Sequence, residues 1–180
     1  MATVKVWDPF VRVFHWSLVA SFAVAFLVSE ERDLRTLHLW AGYAAAALVT
    51  LRIVWGLLGT RYARFSQFVH GPRRVLGYAV EVARGQEARH IGHNPAGGAM
   101  VVALLLAMLG LSLTGYLMTT DQFWGSEPME EAHELLANGM LVLVALHIAG
   151  VVLESVRHRE SLIKAMVTGR KRAPGEGDIA

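Results

Sequence analysis

Apolar residues gather into four long runs that contain no Asp, Glu or Lys and a single Arg. They are 13–29, 36–51 continuing past Arg52 to residue 60, 90–120, and 135–153. A helix needs about 20 apolar residues to cross a hydrocarbon core about 30 Å thick, and each run reaches that length with its flanks. A soluble helical bundle would show polar stripes at helical spacing, and stretches such as 100–113 have no such stripe. The pattern predicts an all-α membrane protein built as a four-transmembrane-helix bundle. Between the second and third runs, Pro72 suits the first turn of a helix. Val75, Leu76, Ala79, Val80 and Ala83 then share one face, with Arg73, Arg74 and Arg84 available to phosphates. That predicts a short helix lying on the membrane surface. Residues 1–168 read as one domain, and the polar segment 169–180 is expected to be a disordered tail. No internal repeat is present.

Charge sets the orientation. Lys5 and Arg12 precede the first run. Arg61, Arg64, Arg73, Arg74, Arg84 and Arg89 lie between the second and third, and Arg157, Arg159, Lys164, Arg170, Lys171 and Arg172 follow the fourth. Loop 30–35 mixes two Arg with three acids, whereas loop 121–134 carries Asp121, Glu127, Glu130, Glu131 and Glu134 and no Lys or Arg. The positive-inside rule then puts both termini and the long middle loop in the cytoplasm and the acidic loops outside. In a bacterium this is the layout of a multi-pass inner-membrane protein with the acidic loops in the periplasm. The first run is longer than a signal-peptide core and is expected to remain as an uncleaved helix. The chain has no cysteine, which excludes disulfides, thiolate zinc sites, iron–sulfur clusters and covalently attached c-type haem. No nucleic-acid partner is expected.

Four of the eight histidines, His15, His38, His133 and His147, fall in or just inside the apolar helices. Ionisable residues at that depth are costly and mark function more often than packing. At 1.5 Å per residue, His15 lies about 7 Å below the inner surface and His38 about 6 Å below the outer one. His133 stands within about one turn of the outer surface, and His147 is about 21 Å deeper. His15 therefore matches His147 in depth, and His38 matches His133. Fourteen residues return a helix to within about 40° of the same azimuth, so His133 and His147 share a face. Two histidines at each level are too few for zinc, and Glu130–His133 supplies a di-iron motif only once. Haem iron needs two axial ligands, because the macrocycle supplies four. Two bis-imidazole haems b at different depths would pass electrons across the bilayer.

Trp7-Asp8-Pro9-Phe10-Val11-Arg12-Val13-Phe14-His15-Trp16 resembles the opening of the bacterial cytochrome b561 and nickel–iron-hydrogenase b-type cytochrome family. The resemblance continues through His38-Leu39-Trp40-Ala41-Gly42-Tyr43, His93-Asn94-Pro95-Ala96-Gly97-Gly98 and the His133, His147 pair. It covers roughly residues 5–172. It implies four helices, two b haems and a ligand set at His15, His38, His133 and His147. It also implies quinone-linked electron exchange with a periplasmic or membrane partner. Arg52, fourteen residues after His38, either meets a haem propionate or snorkels to the inner surface; Arg12, Arg32 and Arg35 are similar candidates. Asn94 and Pro95 either start a helix or contact a quinone head group. Gly42, Gly97, Gly98, Gly110, Gly115 and Gly139 suit close helix packing or a flat porphyrin. The five tryptophans suit an aromatic belt, and His70, His90 and His158 are expected at the surface. The acidic outer loop suits a basic partner such as a c-type cytochrome. The expected role is a di-haem electron-transfer cytochrome between quinone and that partner. The alternatives are an anchor subunit of a larger hydrogenase or dehydrogenase, and a haem-free transporter or sensor. Membrane lipid surrounds the chain in each case, and a homodimer remains open.

Overall fold

The structure is a computed structural model that describes residues 2–179. Seven helices occur among them: α1 (Pro9–Leu27), α2 (Arg35–Leu58), α3 (Phe65–Phe68), α4 (Pro72–Arg84), α5 (Pro95–Leu117), α6 (Glu127–Arg157) and α7 (Leu162–Thr168). Two short strands, β1 (Thr3–Lys5) and β2 (Arg170–Arg172), pair antiparallel. Four helical segments are long and apolar enough to cross a membrane: Pro9–Leu27, Arg32–Leu58, Pro95–Leu117 and Glu127–Arg157. They coincide with the four apolar runs, and the fold is an all-α membrane bundle as the sequence predicts.

The chain divides into two compact units, one of residues 1–12, 54–102 and 145–180, the other of residues 13–53 and 103–144. The second unit holds segments of α1, α2, α5 and α6. It is a four-helix bundle with Phe14, Ala41, Ala45, Val49, Leu105, Met108, Leu111 and Met140 buried. The small Ala41 and Ala45 stand one turn apart on α2, where they allow the close approach typical of membrane helices.

The first unit is held by polar anchors. Asp8 starts α1: its Oδ1 accepts the Val11 N–H at 2.9 Å, and Pro9 occupies the first turn. Its other oxygen accepts from Trp55 Nε1 at 3.1 Å and Thr60 Oγ1 at 2.6 Å. Burial pushes the Asp8 carboxyl up, but these hydrogen bonds outweigh it and hold the group below its ordinary value. Val6, Trp7, Val11, Ala63, Ile91 and Ala165 form an apolar cluster. Trp7, read from sequence as an interface residue, is 6% exposed and belongs to this core.

The tail from Gly169 departs from the expected disorder. Residues 170–172 pair with β1, and Ile179 accepts from the Ile91 N–H and donates to the Arg89 carbonyl. Arg89, buried, pairs with Glu160 at 2.9 Å and with Asp178, and donates to the Arg172 carbonyl at 2.9 Å. Lys171 Nζ donates to the His90 carbonyl at 3.2 Å, and its burial pushes the amine down to about 8. Polarity alone suggested a solvated segment; the polar groups here find specific partners instead.

α4 forms where expected, with Pro72 in the first turn and Gly85 closing it at φ 67°. Its packed side is rotated from the expected apolar face. Tyr78 is buried and donates to Glu154 Oε1 at 2.8 Å, which leaves Leu76 and Val80 exposed beside the arginines. Exposed aliphatics next to cations suit the membrane surface. His70, His90 and His158 are half-buried rather than at the surface.

Candidate functional site

The second unit brings His38 and His133 together. Their ring centres lie 6.3 Å apart and the rings are close to perpendicular at 68°. His38 is carried near the start of α2, and its Nδ1 lies 2.9 Å from the Ala25 carbonyl oxygen of α1. A carbonyl only accepts, so this Nδ1 carries the proton and donates. His133, in the second turn of α6, has its Nδ1 2.8 Å from Thr114 Oγ1 of α5. The Thr114 hydroxyl donates to the Gly110 carbonyl at 2.9 Å. Its oxygen is left to accept, and the His133 Nδ1–H donates to it. Both rings then take the same tautomer, with the lone pair on Nε2.

This geometry fits a metal held on two axial imidazoles. A nitrogen–metal bond is about 2 Å and each nitrogen is about 1 Å from its ring centre, which calls for ring centres about 6 Å apart. Among the described residues, no group of three or more His, Cys, Asp or Glu side chains is placed to hold a metal ion. A site with only two protein ligands suits a metal whose other ligands come from a macrocycle. Gly115 faces the pair, since a Cβ there would stand 3.2 Å from His133 Cε1. Gly42, one turn beyond His38 and half-buried, has nothing within 4 Å of its Cβ position. A flat group beside His38 has room on that side.

His15 belongs to the second unit and His147 to the first. Both are half-buried, and their pairing rests on the depth argument. Arg52 is 3% exposed. Such burial is unlike a snorkelling side chain, whose charge would reach solvent. Arg12, the other candidate at the inner side, donates from Nη1 to the Val167 carbonyl at 2.7 Å. Arg35 stacks on Trp124 with its guanidinium carbon 4.8 Å from the ring centre.

Asn94 caps α5: its Oδ1 accepts the Gly97 N–H at 2.6 Å, and its side chain also reaches the Tyr78 hydroxyl. The helix-start reading thus accounts for the Asn94 oxygen. Next to it, a cavity of about 170 Å³ is lined by Tyr62, Phe68, His70, Arg74, His90 and His93. Burial pushes the His90 imidazole down from its ordinary value. The five acids of the outer loop are all exposed.

Sequence reasoning missed Thr114, the Ala25 carbonyl and the Gly115 contact. Hydroxyls within an apolar run, such as Ser112 and Thr114, are one signal, but a partner nineteen residues away leaves no local trace.

Comparison with known proteins agrees with the geometry. A family model described as prokaryotic cytochrome b561 matches residues 6–169. A probable Ni/Fe-hydrogenase B-type cytochrome subunit of Bradyrhizobium diazoefficiens is 22% identical, covering 94% of this chain and 86% of the relative. One from Rhodobacter capsulatus is 24% identical, over 94% and 81% respectively. The probable Ni/Fe-hydrogenase 1 B-type cytochrome subunit of Escherichia coli is 22% identical, over 91% and 88%. No solved structure matches the chain significantly. With four apolar spans, a two-histidine site and a family match along 6–169, the chain belongs to the prokaryotic cytochrome b561 family and is a multi-pass membrane protein of the bacterial inner membrane.

Proposed function

We propose that this protein is a di-haem b-type cytochrome that passes electrons through the inner membrane. The observation that carries the reading is the His38–His133 pair, 6.3 Å between ring centres, with each Nδ1 engaged and each Nε2 left to ligate. His38 and His133 hold the haem nearer the periplasm, and His15 and His147 the one nearer the cytoplasm. Haem b held by these histidines would supply one-electron redox chemistry. The chain's own residues fix the ligand tautomers, exclude water from the bundle and place Arg52, a buried cation, where it offsets a propionate charge.

On the cytoplasmic side the redox partner is a quinone. Polar side chains around the cavity at the head of α5, His93 and Arg74 among them, suit its head-group oxygens. On the other side the partner is a subunit of a larger redox enzyme. The relatives bear the name of Ni/Fe-hydrogenase B-type cytochrome subunits, which favours a hydrogenase-type complex over a diffusible c-type cytochrome. In that setting the chain serves as both membrane anchor and electron carrier.

A reduced-minus-oxidised spectrum of the detergent-purified protein, with a pyridine haemochrome assay, tests the reading. Two b haems per chain with sharp low-spin α bands are expected. One haem per chain would leave one histidine pair without its role. A colourless protein from haem-replete cells would overturn the reading.

A further inference from the structure

At the cytoplasmic end of α6 lies an open groove of about 320 Å³ that no step above uses. Val151, Val152, Val156 and Ile163 line it, together with the charged Arg159 and Glu160. All six belong to the first unit. Val152 is 51% exposed, Val156 70% and Ile163 58%, so the groove presents aliphatic surface outward.

Arg159 occupies an unusual backbone position. α6 ends with the Arg159 N–H donating to the Val156 carbonyl at 3.3 Å and the Glu160 N–H to the Ser155 carbonyl at 3.0 Å. This closing pattern puts its turning residue in the left-handed region, where glycine is the usual occupant. Gly85 and Gly169 take that place behind α4 and α7. Here Arg159 takes it, at φ 49°, and no other non-glycine residue has positive φ among the described residues. A side chain held there against the backbone preference points to a use for that side chain.

Two charges beside it in the chain are already committed. Arg157 pairs with Glu87, and Glu160 pairs with Arg89. Arg159 is exposed and forms no ion pair among the described residues. Val152 and Val156 stand one turn apart, so the apolar wall is about 6 Å long. It runs along the last turns of a candidate membrane span toward Arg159, just past the helix end.

We propose that this groove binds one anionic phospholipid of the inner leaflet, with an acyl chain along Val152, Val156 and Ile163 and the phosphate on Arg159. A glycerol headgroup leaves its phosphate charge to the guanidinium, whereas choline would set a second cation against Arg159. The site is independent of the haem and quinone reading.

Native mass spectrometry of the purified full-length protein, titrated with phosphatidylglycerol and with phosphatidylcholine, tests it. One phosphatidylglycerol adduct should form in preference to phosphatidylcholine. Arg159→Gln and Arg159→Gly should each weaken that adduct about fivefold, the effect of one juxtaposed charge, while Arg159→Lys keeps most of it. In lipid-free detergent, Arg159→Gly should melt above the wild type, because glycine accepts the left-handed conformation, and Arg159→Gln should not. Equal phosphatidylglycerol binding by wild type and Arg159→Gly would overturn the proposal. So would a lower melting temperature for Arg159→Gly, which would mean that contacts within the protein hold Arg159. A loss of dimer mass in the variants with lipid adducts unchanged would assign the groove to a second copy of the chain and overturn it too.

Discussion

At the scale of single residues, the orientation of the His38–His133 pair depends on the groups around it. Thr114 fixes His133 because its own proton is spent on the Gly110 carbonyl. Thr114→Val keeps the side-chain shape and removes the acceptor for the His133 Nδ1–H. The imidazole then loses basicity and orientation. Such outer partners are worth roughly 10- to 100-fold in metal affinity, and the substitution should lower retention of one haem by about that factor. A less basic ligand also favours the reduced metal, so the midpoint potential of that haem should rise. Haem titration of the apoprotein and a redox titration check both; a Thr114→Val protein that matches wild type in each would remove Thr114 from the site. The meeting of His38 and His133 was readable from the sequence, because depth follows from counting residues along a helix. Thr114 and the Ala25 carbonyl were not, because which neighbour faces a histidine depends on how helices are rotated, and hydropathy does not record rotation.

At the scale of elements, the four spans and α4 could be read directly, since length, apolarity and a proline start signal are local. What the pattern did not reveal is how the cytoplasmic pieces are tied down, because those ties join residues far apart in the chain. Asp8 accepts from Val11, Trp55 and Thr60. Asp8→Ala should cost about 2–3 kcal/mol for the lost charge-assisted hydrogen bonds, seen as a lower melting temperature. The pH dependence has a definite sign. The folded-state pKa of Asp8 lies below its ordinary value of 3.8, so its contribution is fully present above that value and fades as the pH falls through and below it. The stability gap between wild type and Asp8→Ala should therefore be constant near neutrality and close below pH 3.8. A gap that widened on acidification would contradict the hydrogen-bond account. Arg89 does the same for the tail. It is buried with Glu160 and Asp178, so Arg89→Met strands two carboxylates, at a cost of about 3–5 kcal/mol. The first consequence should be release of residues 170–179, measured as much faster tryptic cleavage after Arg170, Lys171 and Arg172. The polarity of 169–180 suggested disorder because a polar segment with buried partners and one without look alike in sequence.

At the scale of the whole molecule, the proposed function calls for two redox centres at different depths, with one helix, α6, contributing to both. His133 and His147 lie on one face of α6, so the depth argument pairs each with a histidine from a different helix. The first of these pairings, His38 with His133, agrees with the 6.3 Å between their rings; the second, His15 with His147, follows from residue counts alone. The two pairings make a joint prediction that single-site data cannot mimic. His38→Ala and His133→Ala should remove the same haem, leaving one α band and one midpoint potential. His15→Ala and His147→Ala should remove the other, leaving the complementary band and potential. The double variant His38→Ala/His133→Ala should resemble its parents and keep one haem, whereas His38→Ala/His147→Ala should keep none. Low-temperature difference spectra with redox titrations on these variants separate the cases. If His15→Ala and His133→Ala removed the same haem, the depth assignment would be wrong even though all four residues were ligands. That outcome would mean that α6 presents its histidines to partners at other depths than its rise of 1.5 Å per residue implies, and the order of the two centres across the membrane would have to be reassigned.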